Sequence, residues 1–378
     1  MSEKPTHRPS WLHRYPLLGP MFGLMFVLLL FEGMIYRHSG MNFLSPETIG
    51  LIITQTTVVA TGTLGMTMVI VAGGIDLSAG SVVAMTGVIA AVMLKHGYSS
   101  WLAVAVAILA GGLVGAINGT IIARFKMMPF IVTLGAMSTM RGFAQMFGDN
   151  QKVNYNLGRV EGVNALMNNP YSLHAAGATP WWQAGDTGLS LPAIIPDWLF
   201  GILKHFMSPD SAHPGDLSVP LWMPPVGVLI LIVLTIIMSF VLNRSVFGRH
   251  IFALGSNEDT ARLCGLRTRT LKVLVYTLSG MFIGLAGIFA LSRLNQGDVT
   301  VGMGLELDII TAVVIGGASL NGGVGSIWGA IIGALTMTSL HSGSVQMGWQ
   351  SYIQGIIIGI VIVLAAGVDK IRSRGLKG

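Results

Sequence analysis

Apolar runs recur along the chain at roughly 17–36, 50–72, 80–95, 101–122, 128–147, 224–242, 272–292, 306–320, 324–341 and 351–368. A helix needs about 20 mainly apolar residues to cross hydrocarbon. The pattern therefore predicts an all-α fold: a polytopic transmembrane helical bundle of about ten spans with broken helices. Runs 80–95 and 306–320 are short. At 1.5 Å per residue they barely cross a core of about 30 Å unless they borrow flanking residues or are broken. Runs 50–72 and 80–95 read equally as one hairpin that stops within the membrane. The first apolar run continues to about Ile35 with no clear small-residue cleavage site, so it reads as a retained signal anchor.

The polar connectors set the orientation. With the N-terminus in the cytoplasm and the runs alternating, the inside segments are 1–16, 73–79, 123–127, 243–271, 321–323 and 369–378. With Lys272 at the edge of its loop, they hold 15 of the 22 Lys and Arg residues. Cytoplasmic connectors carry that excess, so both termini are expected in the cytoplasm. The chain divides into a cytoplasmic tail (1–16), a transmembrane domain (17–368) and a basic cytoplasmic tail (369–378) that carries Lys370, Arg372, Arg374 and Lys377.

Two polar excursions interrupt the domain. Segment 148–223 has six acids against three bases, with Trp and Pro in "TPWWQAG", "PDWLF" and "PLWMPP". Its acidity suits the outer face and its tryptophans suit interface depth. It reads as a surface excursion with interfacial helices or as a docking face for an external partner. On the inside, "NRSVFGRHIFALGSNEDTARLCGLRTRTLK" (243–272) contains a short capped helix. Ser256 or Asn257 caps it, Glu258 and Asp259 fill its first turn, and Gly265 stops it. That loop is either a handle for a cytoplasmic partner or a basic connector that fixes topology.

The stretch "VAGGIDLSAGS" (71–81) places polar residues between two apolar runs. Gly73 and Gly74 admit backbone angles closed to other residues, and Asp76 is placed to cap a helix beginning near Leu77. Backbone freed from a helix within a membrane protein is buried in protein or faces water. The motif is read first as a helix break with its amides satisfied; contact of Asp76 with solute, or with a gate, stays open. A similar run, "AVVIGGASLNGGVGSIWGAIIGAL" (312–335), resembles "VIVAGGIDLSAGSVVAMTGVIAAV" (69–92); it reads as a parallel structural repeat or as an independent solution to the same tight turn, with the repeat favoured. Small residues in "LAGGLVGAINGT" (109–120), "SGMFIGLAGIFA" (279–290) and "GSIWGAIIGAL" (325–335) predict close helix packing. Arg141, Glu306 and Asp308 are charges near spans; Glu306 and Asp308 read first as acids favourably placed at a helix N-terminus, and Arg141 with either acid is the other reading. Asn118, Thr133, Gln145, Asn295 and Gln296 are candidates to line a polar path.

Composition narrows the classes. Only 10% of the 378 residues are charged and mean hydropathy is +0.70; a soluble domain carries about 25% charge. The net charge of +6 sits in connectors and not on a nucleic-acid face. The single cysteine, Cys264, forms no internal disulfide, and no metal-ligand spacing occurs. There is no P-loop, HExxH or GxSxG. The chain is expected to be no enzyme and to carry no cofactor, so any ATP hydrolysis sits on another subunit.

Three blocks, "VAGGIDLSAGSVVAMTG" (71–87), "GRHIFALGSNEDTARLCGL" (248–266) and "LELDIITAVVIGGASLNGGVGSIWGAIIGAL" (305–335), resemble the permease subunits of bacterial ABC importers of the ribose, xylose, arabinose and galactose type. The resemblance covers about 43–369. It implies a multi-pass inner-membrane permease that imports a monosaccharide as a homodimer. Its partners would be a cytoplasmic ABC ATPase, a periplasmic sugar-binding protein, a second copy of itself and the lipid bilayer. By the same resemblance, 257–271 is the coupling element seated on the ATPase, with Asn257, Glu258, Asp259, Ala261, Arg262, Gly265 and Leu266. Gly73, Gly74, Asp76, Leu77 and Ser78, with Asn118, Asn295 and Gln296 as path candidates, would shape the translocation route. The long segment 148–223 departs from the compact ribose type toward the xylose and multiple-sugar subset. The rival readings are an ion-coupled carrier or channel, or an ABC permease for a nucleoside or sugar-like signal.

Overall fold

In the computed structural model of the chain, residues 17–155 and 225–374 are described. Expectations for 1–16, 156–224 and 375–378, Lys377 included, lie outside the described residues. Each apolar run contains a helix: α1 Leu18–Ser39, α2 Pro46–Val71, α3 Ala79–Lys95, α4 Ser100–Phe125, α5 Pro129–Phe147, α6 Val226–Arg244, α9 Thr268–Leu294, α10 Leu305–Ile315, α11 Ile327–Gln346 and α12 Ser351–Arg374. Between α6 and α9 lie α7 Val246–Ser256 and α8 Glu258–Leu263. The one β structure among the described residues is a two-residue antiparallel ladder of β1 (Val153–Asn154) with β2 (Gln296–Gly297). Among the described residues, five helices, α1, α2, α4, α6 and α9, are long and apolar enough to cross a membrane.

Local chemistry sets the helix ends. Ser45, Ser99, Ser245, Asn257 and Ser326 each accept a bond from an amide in the first turn of the helix that follows, which satisfies one of its orphan donors. Asn257 accepts from Thr260 N–H at 2.9 Å, so of the two expected caps for α8 it is Asn257 that serves. Gly265, with φ +85°, ends α8 as expected. Helix α7 is absent from the sequence reading, which took 243–256 as polar connector.

The glycine-rich runs pack as expected. Helix α9 lies along α4: a Cβ on Gly111 would strike the Gly280 carbonyl, and one on Gly115 the Tyr276 carbonyl. Gly333 of α11 likewise meets the Ala312 carbonyl of α10. Backbones this close gain dispersion contact, which holds helices together in lipid.

Helix α9 also serves as a depth scale. One end of the bundle, the basic end, carries Arg124, Lys126, Arg244, Arg249, Arg262, Arg267, Arg269 and Lys272 on adjoining helix ends. The opposite end carries the β ladder. Helix α3 runs parallel to α9, with Gly87 against Gly287 and the Ile75 carbonyl within reach of the Tyr276 hydroxyl. At 1.5 Å per residue, α3 begins level with about residue 279, roughly 16 Å from the basic end of α9. The link 72–78 therefore climbs back into the bundle after α2 ends. It is not the plain inside connector of the ten-span scheme; the hairpin alternative describes it better. Helix α10 is also partial. Gly302, just ahead of it, packs backbone to backbone on Gly80, so α10 starts at the same mid-depth and runs to the basic end.

Candidate functional site

At mid-depth the link 72–78 is held by side chains from three other helices. Asp76 and Ser78 are buried, each 1% exposed. The Ser78 N–H and hydroxyl both donate to Asp76 Oδ1, at 2.9 and 2.5 Å. Asn118 of α4 donates to Ser78 Oγ at 3.2 Å. The Ile75 carbonyl accepts from Tyr276 at 3.2 Å and Thr133 at 3.4 Å. The break is thus satisfied internally, as hydrocarbon requires. The expected capping geometry is corrected in one respect. Helix α3 begins at Ala79, not near Leu77, and its N-cap Ser78 gives no side-chain cap bond. Asp76 closes the turn ahead of the helix, because the climbing link inserts Leu77 and Ser78 between the carboxylate and the first turn.

Sequence candidates divide into three places. Gly73, Gly74, Asp76, Leu77, Ser78 and Asn118 come together around the link. Asn295 and Gln296 do not join them: Asn295 ends α9 with φ +53° and Gln296 pairs with Asn154 in the ladder. They lie roughly 27 Å along α9 from the level of Tyr276. The coupling candidates lie at the basic end. There α8 is tied to α9 by Lys272 Nζ to Glu258 Oε2 at 2.7 Å, and Arg262 meets Asp259 at 3.3 Å. The Leu266 N–H donates to the Ala261 carbonyl and Gly265 N–H to Arg262, closing the helix. Ala261 faces inward at 4% exposed, while Leu263 is 84% exposed.

Three chain reversals meet at this end. Gly323 N–H donates to the Val71 carbonyl at 2.8 Å. A Cβ on Gly255 would strike that same carbonyl, and one on Gly322 would lie 3.0 Å from Gly73 Cα. The contact joins α7 to the end of α2 and to the turn between α10 and α11. Beside it opens a cleft of about 340 Å³, lined by Gly73, Gly74, Ser256, Glu258, Lys272 and Asn321 among others. The two similar sequence runs also share backbone geometry. Ala72, Gly73 and Gly74 donate to Met68, Ile70 and Val69; Gly316, Gly317 and Ala318 donate to Ala312, Val314 and Val313. Gly73 and Gly317 have φ of +80° and +92°. Both turns face the basic end, as a parallel repeat demands.

A second mid-depth feature escaped the sequence reading. Between α9 and α10, residues 295–304 descend without helix along α3 until Gly302 meets Gly80. Arg141 of α5 donates from one guanidinium nitrogen to the Val299 and Val301 carbonyls, both at 2.8 Å. It forms no ion pair with Glu306 or Asp308, because those carbonyls, freed from any ladder, need its donors. Glu306 reaches the first turn of α3 at Gly80, and its Oε2 is buried without a hydrogen-bond partner. Only the unusual sequence of a charge within "MSTMRGF" marked Arg141 in advance. At the ladder end Asp298 bonds Lys152 at 3.3 Å. Burial works to raise its pKa, but hydrogen bonds from Thr300 and Lys152 outweigh this and hold the carboxyl below its ordinary value.

Beside this junction α5 presents Gly135, Ser138, Thr139, Gly142 and Gln145 exposed along its length. Polar groups at such depth normally face protein or a water-filled cavity. The arrangement offers hydrogen bonds and small-residue clearance for a polar solute, and no group of residues that could hold a metal ion occurs among the described residues.

A family profile described as branched-chain amino acid transport system / permease component matches residues 48–366. The ribose import permease protein of Escherichia coli (strain K12) is 35% identical over 328 residues, covering 87% of each chain. That of Bacillus subtilis (strain 168) is 31% identical over 356 residues, covering 94% of this chain and 93% of its own. The xylose transport system permease protein of Escherichia coli (strain K12) is 30% identical, covering 88% and 87%. No solved structure matches the chain.

Proposed function

Because the chain belongs to the family of transport-system permease components, we propose that it is the membrane permease of an ABC importer for a monosaccharide. The observation that carries the reading is the mid-depth meeting of two broken helices beside the exposed polar flank of α5. A solute path needs polar groups at hydrocarbon depth, and it needs them to bind weakly enough to release. Relatives named for ribose, L-arabinose, fructose and xylose support a monosaccharide, pentose or hexose. The preference for a xylose-like solute rests only on the length of 148–223, and identity to ribose permeases reaches 35%.

The solute would arrive from a periplasmic binding protein at the ladder end. It would cross between two copies of this chain that face each other through α5. The basic end lies in the cytoplasm in this scheme, in the bacterial inner membrane. There α8, with Asn257, Glu258, Asp259, Arg262, Gly265 and Leu266 around the inward-facing Ala261, seats on the ATPase. Movement of α7 and α8 would pass through Gly255 to the end of α2, and so to the link that holds Asp76. ATP binding to the partner shifts the population between outward and inward access. Uptake of labelled pentoses and hexoses by cells with and without the gene tests the proposal. Unchanged uptake of every sugar on deletion refutes it, and uptake by the purified chain alone on an ion gradient replaces it with a secondary carrier.

A further inference from the structure

Residues 295–304 cross roughly 21 Å of bundle depth, from the level of Leu294 to that of Gly80, with turns but no helix. They are held there by the two-residue ladder, the Lys152–Asp298 pair, the Arg141 clamp, the Thr300–Asp298 turn, the buried Val299 side chain, the packing of Gly297 on Ala91 and the Gly80–Gly302 contact. The last is a close fit: a Cβ on either glycine would strike the other's carbonyl oxygen. Next to it, Glu306 Oε2 is buried with no partner. A buried polar oxygen left unpaired costs about 1–3 kcal/mol, and more when charged. Close backbone packing and an unsatisfied carboxylate oxygen therefore coincide at this point. That combination disfavours a permanent structural seal, whose gain from the carboxylate is an acid in the first turn of α10, which Asp308 also supplies.

We propose that 295–304 is the outer gate of the path, closed where Gly302 meets Gly80, and that Glu306 keeps the closed state from being too stable. When the strap lifts from α3, Glu306 Oε2 gains a hydroxyl donor from water or from the arriving solute. The closed gate loses that bond and the open gate recovers it. The inference rests on the transport reading above for its direction.

The test uses the full transporter in cells, with Cys264→Ser as background. Ala84 of α3 and Val301 of the strap line one void of about 10 Å³, so the pair Ala84→Cys and Val301→Cys, joined by oxidation or by a short bifunctional thiol reagent, is placed to bridge the closed gate. Oxidation should crosslink the pair in resting cells and stop uptake in proportion to the linked fraction, and reductant should restore it. Crosslinked cells with full uptake, or no crosslink at rest, overturn the proposal. The single Glu306→Leu variant should slow uptake by about tenfold while its thermal midpoint in detergent does not fall, because the unpaired oxygen is gone from the closed state. Wild-type uptake, or a lowered midpoint, contradicts the role of Glu306. A third readout separates the gate from the choice of solute. Val301→Cys should react faster with a membrane-impermeant thiol reagent in energised than in depleted cells. Energy-dependent labelling without uptake of any tested sugar sinks the sugar reading and keeps the gate; sugar uptake with constant labelling does the reverse.

Discussion

Asp76 and Ser78 show how a single turn is kept inside hydrocarbon. One carboxylate oxygen takes two bonds from Ser78, and Asn118 completes the set. Asp76→Leu leaves the Ser78 donors buried and unpaired, at a cost of about 1–3 kcal/mol. Asp76→Asn keeps an acceptor, so it should retain more transport and a higher thermal midpoint than the leucine variant. Equal, complete loss of uptake in both, with normal assembly, would instead indicate that the charge itself meets the solute. At the basic end, Cys264 is exposed and Ala261 is buried. A crosslink to the co-expressed ATPase is therefore expected from Cys264 or Leu263→Cys and not from Ala261→Cys. Its absence in every nucleotide state of an intact assembly would remove α8 from the interface.

Among the elements, glycine contacts decide which helices can lie together. Gly255→Ala forces a methyl group against the Val71 carbonyl, and overpacking of this kind costs about 1–3 kcal/mol. It should lower the thermal midpoint and uptake together. Gly265→Ala, where φ is +85° and nothing lies nearby, costs about 1–2 kcal/mol from backbone strain alone. It should fray α8 with little effect on the bundle, as hydrogen exchange confined to 258–266 would show. The Lys152–Asp298 tether carries a pH sign. The folded carboxyl is held below its ordinary value, so the tether is complete above the unfolded value near 3.9 and is lost as pH falls through the folded one. Between about pH 5 and 8 the strap should therefore be indifferent to pH. Asp298→Asn should cost at most about 1 kcal/mol, since Lys152 is largely exposed. A tether-dependent change in Val301→Cys labelling within that neutral range would contradict the assignment.

For the molecule as a whole, the positive-inside pattern makes the orientation testable. Arg267→Cys should be shielded from impermeant reagents in intact cells and open to them in inverted vesicles; the opposite result reverses the scheme. The sequence by itself determined the helical class, the positions of the apolar runs, a short capped helix after Ser256 or Asn257, the likeness of the two glycine turns and the clustering of basic connectors. All of these follow from hydropathy, local capping and backbone punctuation, which act within a few residues. Only the tertiary structure decided that 72–78 climbs back to mid-depth, that Asn295 and Gln296 stand apart from Asp76, and that Arg141 serves carbonyls instead of an acid. It alone revealed Glu306 unpaired beside Gly80. Those outcomes depend on which helix lies beside which, and so on contacts between residues such as 80 and 302 whose adjacency no local pattern encodes.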